Sequence, residues 1–293
     1  MAQDNLAWQS KLVLLAVLPF AATEVLLSCF GWATVSAPVM IWTLGLSALL
    51  GLITWRLRAA TPAAAATGAV ITSSLMFSTI EQPYEPWHTA LVPVLAVSCL
   101  AFAATRAGRR KKERLVTAEA RRGRSAAQVA ANLGLAALVA CEPVKIWLFD
   151  SRWLPLRAHS ETLISAMALA ALAEAAADTV SSEIGQVLGG RPRMITTLCA
   201  VEPGTDGAVS MVGTLAGVVA AGIVAGAGTW ALRGDWSLFE LSCAGAVFGL
   251  VFDSLLGATF ERKVWLNNDA VNFLSTASAA GFVLLLLVLA PAP

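Results

Sequence analysis

Charge is what this sequence has least of. Asp, Glu, Lys and Arg make up 13% of its residues, against the roughly 25% usual in a soluble domain, while 57% are apolar and the mean hydropathy is +0.72. That scarcity excludes an ordinary water-soluble fold. A net charge of +1 excludes a global attraction to nucleic acid, and no nucleic-acid partner is expected. Paired cysteines are missing too: Cys29, Cys99, Cys141, Cys199 and Cys243 stand apart from one another, mostly in or beside apolar runs, and read as packing thiols. The first residues lack both a charged signal-type region and an Arg-rich transit pattern, so no cleaved peptide is expected.

What is present is apolar length. Nine stretches, near 11–30, 35–55, 62–80, 87–104, 127–149, 160–177, 208–228, 237–257 and 270–291, approach the roughly 20 residues a helix needs to cross a bilayer core. Unpaired backbone groups in lipid cost several kcal/mol each, which leaves the helix as the economical crossing. The expected fold is therefore all-α and polytopic, with about nine transmembrane helices. Nine Lys and Arg between Arg106 and Arg124 hold that loop in the cytoplasm, which places the N-terminus inside and sorts 16 basic residues to the cytoplasmic face against four outside. The link Glu81-Gln-Pro-Tyr-Glu-Pro86 has no Lys or Arg and falls outside.

This topology gathers the polar clusters on the cytoplasmic side. Glu174, Asp178 and Ser182 recur every four residues on one helical face, with Glu183 beside them. Stacked acids repel unless a cation sits among them, so the cluster is either a solvated helix end or a site for a hard divalent ion such as Mg²⁺. Arg191 and Arg193 lead into Glu202-Pro-Gly204-Thr205-Asp206-Gly207, whose glycines are either plain turn residues or a means of turning backbone N–H groups toward an anion at a helix start. In the helix after it, Gly213 and Gly217, then Gly222 and Gly226, suit close helix contact. Gly245, Gly249, Asp253 and Gly257 follow at strict four-residue spacing, which puts an intramembrane acid, Asp253, on a stripe open to close approach. Beyond it come Glu261, Arg262 and Lys263, then Asn267-Asn268-Asp269-Ala-Val-Asn272, where Asn268 or Asp269 serves as a helix cap. Arg124, Gln128 and Asn132 share one helical face entering the membrane, an arrangement that suits a phosphate at the cytoplasmic surface.

The segments Asp178-Thr-Val-Ser-Ser-Glu183-Ile-Gly185, Glu202 to Gly207, Asp253-Ser254-Leu-Leu-Gly-Ala258 and Asn267 to Asn272 together resemble the transmembrane protein 19 family over about residues 56 to 290. The resemblance treats residues 1–56 as two additional helices and 57–293 as the family's catalytic-type domain. Ala208 stands where the family often has Gly. That family includes the plant plastid phytyl-phosphate kinase and is distantly similar to the polytopic kinases of phytol and dolichol and to CDP-diacylglycerol synthases. The resemblance implies a nucleoside triphosphate, CTP, with Mg²⁺ and an isoprenoid monophosphate in a bacterial cell membrane. It implies that Asp178, Glu183, Asp206 and Asp253 hold the metal directly or through water. Arg124, Arg191, Arg193 and Lys263 then meet phosphates, the Gly204 to Gly207 amides cradle them, and Asn268 and Asn272 orient ligand or metal waters. Ser182, Glu202, Thr205, Ser254, Gln128 and Asn132 complete the binding set, and the isoprenoid tail lies in a groove between helices, among membrane lipids.

Phosphoryl transfer to a lipid monophosphate needs charge neutralisation and alignment rather than a dedicated base. A cytidylyltransferase, attacking the α-phosphate instead, would use the same acids. A flippase or transporter would need broken helices and polar residues through the midplane, whereas Glu24 and Glu240 are among the few acids away from the cytoplasmic cluster, and one-sided clustering favours surface chemistry.

Overall fold

The structure is a computed structural model that describes residues 6–115, 123–150 and 160–289. Arg121, Arg122, Arg152 and Arg157, used above to orient the chain, lie outside the described residues. The described residues form eleven α-helices in order: α1 (Ala7–Val35), α2 (Ala37–Arg56), α3 (Pro62–Phe77), α4 (Leu91–Arg106), α5 (Arg109–Arg114), α6 (Ala126–Ala140), α7 (Glu142–Asp150), α8 (Ser160–Leu188), α9 (Met211–Ala231), α10 (Trp236–Leu256) and α11 (Asn268–Leu289). Two short strands, β1 (Arg193–Met194) and β2 (Ala208–Val209), pair antiparallel in the α8–α9 link, with Arg193 opposite Val209. The fold is an all-α polytopic bundle with little strand.

Helix covers every one of the nine apolar stretches, yet the expected count is not reproduced. Among the described residues six helices, α1, α2, α8, α9, α10 and α11, are long and apolar enough to span alone, and α6 with α7 makes a seventh if their 59° bend belongs to one crossing. α3 and α4 have 16 residues each, about 24 Å of helix against a hydrocarbon core of roughly 30 Å. Their starts are well specified all the same. Thr61 caps α3 by accepting from the Ala64 amide at 3.2 Å, with Pro62 in the first turn where its missing N–H costs nothing.

α8 is the axis of the bundle: 89% of its membrane-length stretch is buried, against 22–39% for the other five long helices. Its composition explains the position. Ala166, Ala170, Ala171, Ala173, Ala175, Ala176 and Ala177 are all nearly inaccessible, and a small side chain on every face lets α4, α6, α9, α10 and α11 close around one helix. Of the α9 glycines, the expectation holds for the first pair: a side chain on Gly213 or Gly217 would meet the Ser181 or Ala177 carbonyl at 2.6 or 2.8 Å. Gly222 has open space around it and Gly226 meets just Phe239, so the second pair is not a contact seam. α1 and α2 pack at the flank with large apolar side chains such as Leu15, Leu26, Phe30 and Ile41 outward, as in a helix facing lipid.

The connections separate into two ends. At one, Gln9 donates to the Trp265 carbonyl (2.8 Å), Ser10 to Asp269 (2.6 Å), Arg106 to the Leu57 carbonyl (2.8 Å) and Lys111 to the Val187 carbonyl (2.6 Å). At the other, Arg233 meets Glu85 (2.7 Å), His88 meets the Ala231 carbonyl (3.1 Å) and Lys145 donates to the Ser78 carbonyl (3.4 Å). The basic segments thus share one end, the end that the charge rule assigns to the cytoplasm.

Candidate functional site

The site forms where α8 and α10 pass at the basic end. A side chain on Gly249 of α10 would sit 2.5 Å from the Cγ of Glu174, so the glycine lets that glutamate lie flat between the helices. Glu174 is 1% exposed, and its Oε1 has no hydrogen-bond partner. One turn nearer the basic end, the carboxyl groups of Asp178 (α8) and Asp253 (α10) lie within hydrogen-bonding reach of each other, while Asp253 Oδ1 is buried without a partner. Two carboxylates so placed repel unless a proton or a cation shares the space.

Around this pair lies a cavity of about 240 Å³. α8 contributes Asp178, Ser182 and, on the same face, Ser181, Gly185 and Gln186. The α8–α9 link contributes Gly204, Thr205, Asp206 and Gly207. This link is a folded turn, with the Thr205 amide and hydroxyl donating to the Glu202 carbonyl at 3.2 and 2.7 Å and the Ala208 amide to the Thr205 carbonyl at 3.0 Å. Gly207 is required twice over, by its φ of +74° and because a side chain would overlap the Ala258 amide. α10 adds Asp253 and Ser254 and then widens into a π-helical turn, Gly257–Glu261, which carries Glu261 back over the opening. Asn268 and Asn272 of α11 close the remaining side. Burial raises the Asp206 carboxyl above its ordinary range, and the Arg262 guanidinium pulls it part of the way back.

Ten of the expected residues therefore line one cavity, and eight do not. Glu183, expected as a metal ligand, turns to the other side of α8 and accepts from Lys112 at 2.5 Å. Lys112, itself 1% exposed, also donates to the Ala104 and Thr105 carbonyls at 2.9 and 3.0 Å, so this is a buried structural ion pair. Gln128 forms a reciprocal capping box with Ser125 at the start of α6, and Asn132 donates back to the Gln128 carbonyl at 2.7 Å. Arg124 reaches Thr179 at 3.4 Å, beside Asp178 in sequence but around the helix from it. Arg193 donates to the Leu198 carbonyl at 2.8 Å, Lys263 lies 5.4 Å over the Trp265 ring, and Arg191 and Glu202 are exposed outside the cavity. The capping residue before α11 is Asn267, which accepts from the Ala270 amide at 2.9 Å, so Asn268 is left to the cavity.

Sequence reasoning passed over Glu261 as a site residue, although it extends the four-residue rhythm of Gly249, Asp253 and Gly257 by one more step. Ser181, Gly185 and Gln186 could have been found in the same way, three, seven and eight residues after Asp178 on one helical face.

Among the described residues no three Asp, Glu, His or Cys side chains converge closely enough to make a protein-only metal cage. The donor set fits a different kind of ion. Mg²⁺ is commonly bound by one or two carboxylates, its other positions filled by water and substrate phosphates, and Asp178 with the unpartnered oxygen of Asp253 supplies such a pair.

The family described as Integral membrane protein DUF92 matches residues 45–280, a region that begins inside α2 and takes in the whole site. The chain belongs to this family. Its relationship to the transmembrane protein 19 group, legible in the four motifs, is thereby borne out. A membrane protein of Methanocaldococcus jannaschii is 45% identical over 108 residues, 37% of this chain and 45% of that one. A membrane protein of Synechocystis is 34% identical over 209 residues, 68% of this chain and 73% of its own length. The chloroplastic protein VTE6 of Arabidopsis thaliana is 37% identical over 101 residues, 33% of this chain and 30% of the plant protein. No solved structure matches the DUF92 chain significantly.

Proposed function

We propose that this protein is a phosphotransferase that moves the γ-phosphoryl group of a nucleoside triphosphate, CTP, onto an isoprenoid monophosphate at the cytoplasmic face of the membrane. The observation that carries the reading is the Asp178–Asp253 pair: two acids from different helices within hydrogen-bonding reach, one with a buried oxygen lacking any partner, at the base of a cavity rimmed by a glycine turn. Such a pair is costly in a membrane protein unless a cation or proton belongs there.

In this reading Asp178 and Asp253 would hold Mg²⁺, and Asp206 and Glu261 would face it from the rim of the cavity. The bound ion would neutralise the polyphosphate and the charge that develops in transfer. The Gly204 to Gly207 turn and the Ser181, Ser182 and Ser254 hydroxyls hold the nucleotide phosphates, while Asn268 and Asn272 fix its orientation. An oxygen of the lipid monophosphate attacks the γ-phosphorus, the bond from that phosphorus to the β–γ bridging oxygen breaks, and the nucleoside diphosphate leaves with the electron pair. The acceptor is already an anion, so the chain supplies alignment and a dry, charged cradle. The resemblance to a family that includes the plant phytyl-phosphate kinase supports the choice of acceptor.

The purified protein is to be incubated with Mg²⁺, a panel of nucleoside triphosphates and phytyl or geranylgeranyl monophosphate, with lipid and nucleotide products read by mass spectrometry. Prenyl diphosphate with a nucleoside diphosphate is the expected pair. Pyrophosphate release would make the protein a cytidylyltransferase, and no turnover with any pair would favour transport. One observation gives transport its weight: the α6–α7 helix breaks by 59°, beside a second cavity of about 550 Å³ at the opposite end that reaches Leu169 and Leu172 of α8, near Glu174.

A further inference from the structure

The first turn of α1 buries a polar side chain that the apolar character of the helix does not explain. The inaccessible residues of α1 are Gln9, Val13, Val17, Ala21 and Glu24, a stripe at three- and four-residue steps turned into the bundle, and Gln9 at its basic end is 7% exposed. A buried carboxamide carries donors and an acceptor that need partners. Gln9 finds them in the link between α10 and α11: its Nε2 donates to the Trp265 carbonyl and its Oε1 accepts from the Asn267 amide, each at 2.8 Å. Its neighbours add to the join. Ser10 donates to Asp269 at 2.6 Å, and the Asn267 carboxamide donates to the Ser10 hydroxyl at 3.0 Å and to the Leu6 carbonyl at 2.9 Å.

That link has two reasons to need holding. Val264 sits at a φ of +58°, a left-handed conformation that a branched side chain adopts only where its surroundings fix it. The link also carries the cavity's rim at both of its ends. The Trp265 amide donates back to the Phe260 carbonyl at 3.0 Å, inside the π-helical turn that presents Glu261. Asn267 caps α11, whose first residue, Asn268, lines the cavity. Gln9 and Ser10 are not themselves among the lining residues, so any effect they have on a bound ligand passes through the link.

We infer that Gln9 and Ser10 are positioning residues for the cavity, holding the 265–269 link so that Glu261 and Asn268 face the same opening. The inference rests on the phosphotransferase reading, in which those two rim residues face the metal and orient the nucleotide. It gives a site role to α1, which lies outside the residues matched to the family. The rest of the stripe fixes where Gln9 stands: Val17 is 0% exposed and fills the space that a side chain on Gly134 of α6 would need. The additional helix is thus a strut for the site as well as a lipid-facing flank.

The test compares the full-length wild type with Gln9→Leu, which keeps the bulk and removes both bonds. Backbone amides in peptides spanning 262–272 are expected to exchange with deuterium at least about tenfold faster, as in a locally loosened segment. Mg²⁺-CTP affinity by isothermal titration is expected to fall about tenfold, with the nucleotide KM rising alike and kcat at saturation within about threefold of the wild type. Val17→Ala is the control for α1 packing: it should lower the unfolding midpoint while link exchange and nucleotide affinity stay as in the wild type. Should Gln9→Leu not fold, Ser10→Ala carries the comparison, with affinity expected to fall about threefold and Ser10→Thr, which keeps the hydroxyl, to retain it. Wild-type affinity in Gln9→Leu and Ser10→Ala, or an equal loss of affinity in Val17→Ala, would overturn the inference. If the wild type turns over and Gln9→Leu matches it, the positioning role falls alone; if the wild type binds no Mg²⁺-nucleotide, the phosphotransferase reading falls and takes the positioning role with it.

Discussion

Replacing Glu183 separates a structural acid from a metal ligand. The Lys112 ammonium is 1% exposed and has three acceptors within 3.0 Å: two main-chain carbonyls of the α4 end and the Glu183 carboxylate, itself 14% exposed. Removing one partner of a buried pair leaves the other charge without compensation, at a cost of about 3–5 kcal/mol. Glu183→Ala should lose stability of that order, because the ammonium keeps its carbonyls but loses its counter-charge. Glu183→Gln keeps an acceptor and should lose less, about 1–3 kcal/mol. Lys112→Met with Glu183→Leu should recover most of the loss, since apolar replacements of similar volume often match a buried pair. Thermal unfolding followed by intrinsic fluorescence, with Trp at 10 positions, reads the stability, and isothermal titration reads Mg²⁺-nucleotide affinity. The expected pattern is a falling midpoint with affinity near the wild-type value. A Glu183→Gln protein as stable as the wild type but unable to bind Mg²⁺-nucleotide would refute the ion-pair reading and return Glu183 to the metal.

Asp253→Asn should lower phosphoryl transfer by about a hundredfold or more, some 3 kcal/mol of transition-state stabilisation, with no loss of stability, and product mass spectrometry at saturating substrate checks it. Unimpaired turnover would remove Asp253 from the site. Gly207→Ala meets both a positive φ and the Ala258 amide, so the turn must move, and nucleotide affinity should fall while lipid binding holds; equilibrium binding of labelled CTP reads this. Gly249→Val drives a branched side chain against Glu174 Cγ and the Ser275 carbonyl, and should lower the unfolding midpoint through about 1–3 kcal/mol of overpacking.

The helices were legible because apolar length is a direct reading of what lipid demands, and the acids on α8 and α10 were legible because four-residue spacing fixes a helix face whatever the rest of the fold does. Asp178, Ser182, Asp253 and Ser254 reached one cavity for that reason. The turn residues Gly204 to Gly207 were found through their glycines, whose φ values of +86° and +74° bear out a chain that bends there. What sequence could not show was how far a long side chain would travel and to whom. Lys263 and Arg193 stand within a few residues of the site in the chain, yet one lies over Trp265 and the other bonds Leu198. Glu183 is one residue from Ser182 but about 100° around the helix, which suffices to hand it to Lys112 instead of the cavity.

That angular step also explains why acids and arginines sit in separate compartments. Were Arg124 to meet Asp178 directly, the two would neutralise each other, and neither would present much field to a ligand. Thr179 stands between them instead, taking the Arg124 contact on one face of α8 while Asp178 looks to α10 on another. α8 can act as such a partition because its alanines let helices close on it from several sides. It follows that Thr179→Leu, which removes the hydroxyl that Arg124 reaches, should leave Mg²⁺-nucleotide affinity within about threefold of the wild-type value, as read by isothermal titration. A larger loss of that affinity would show that Thr179 shapes the acid cavity itself.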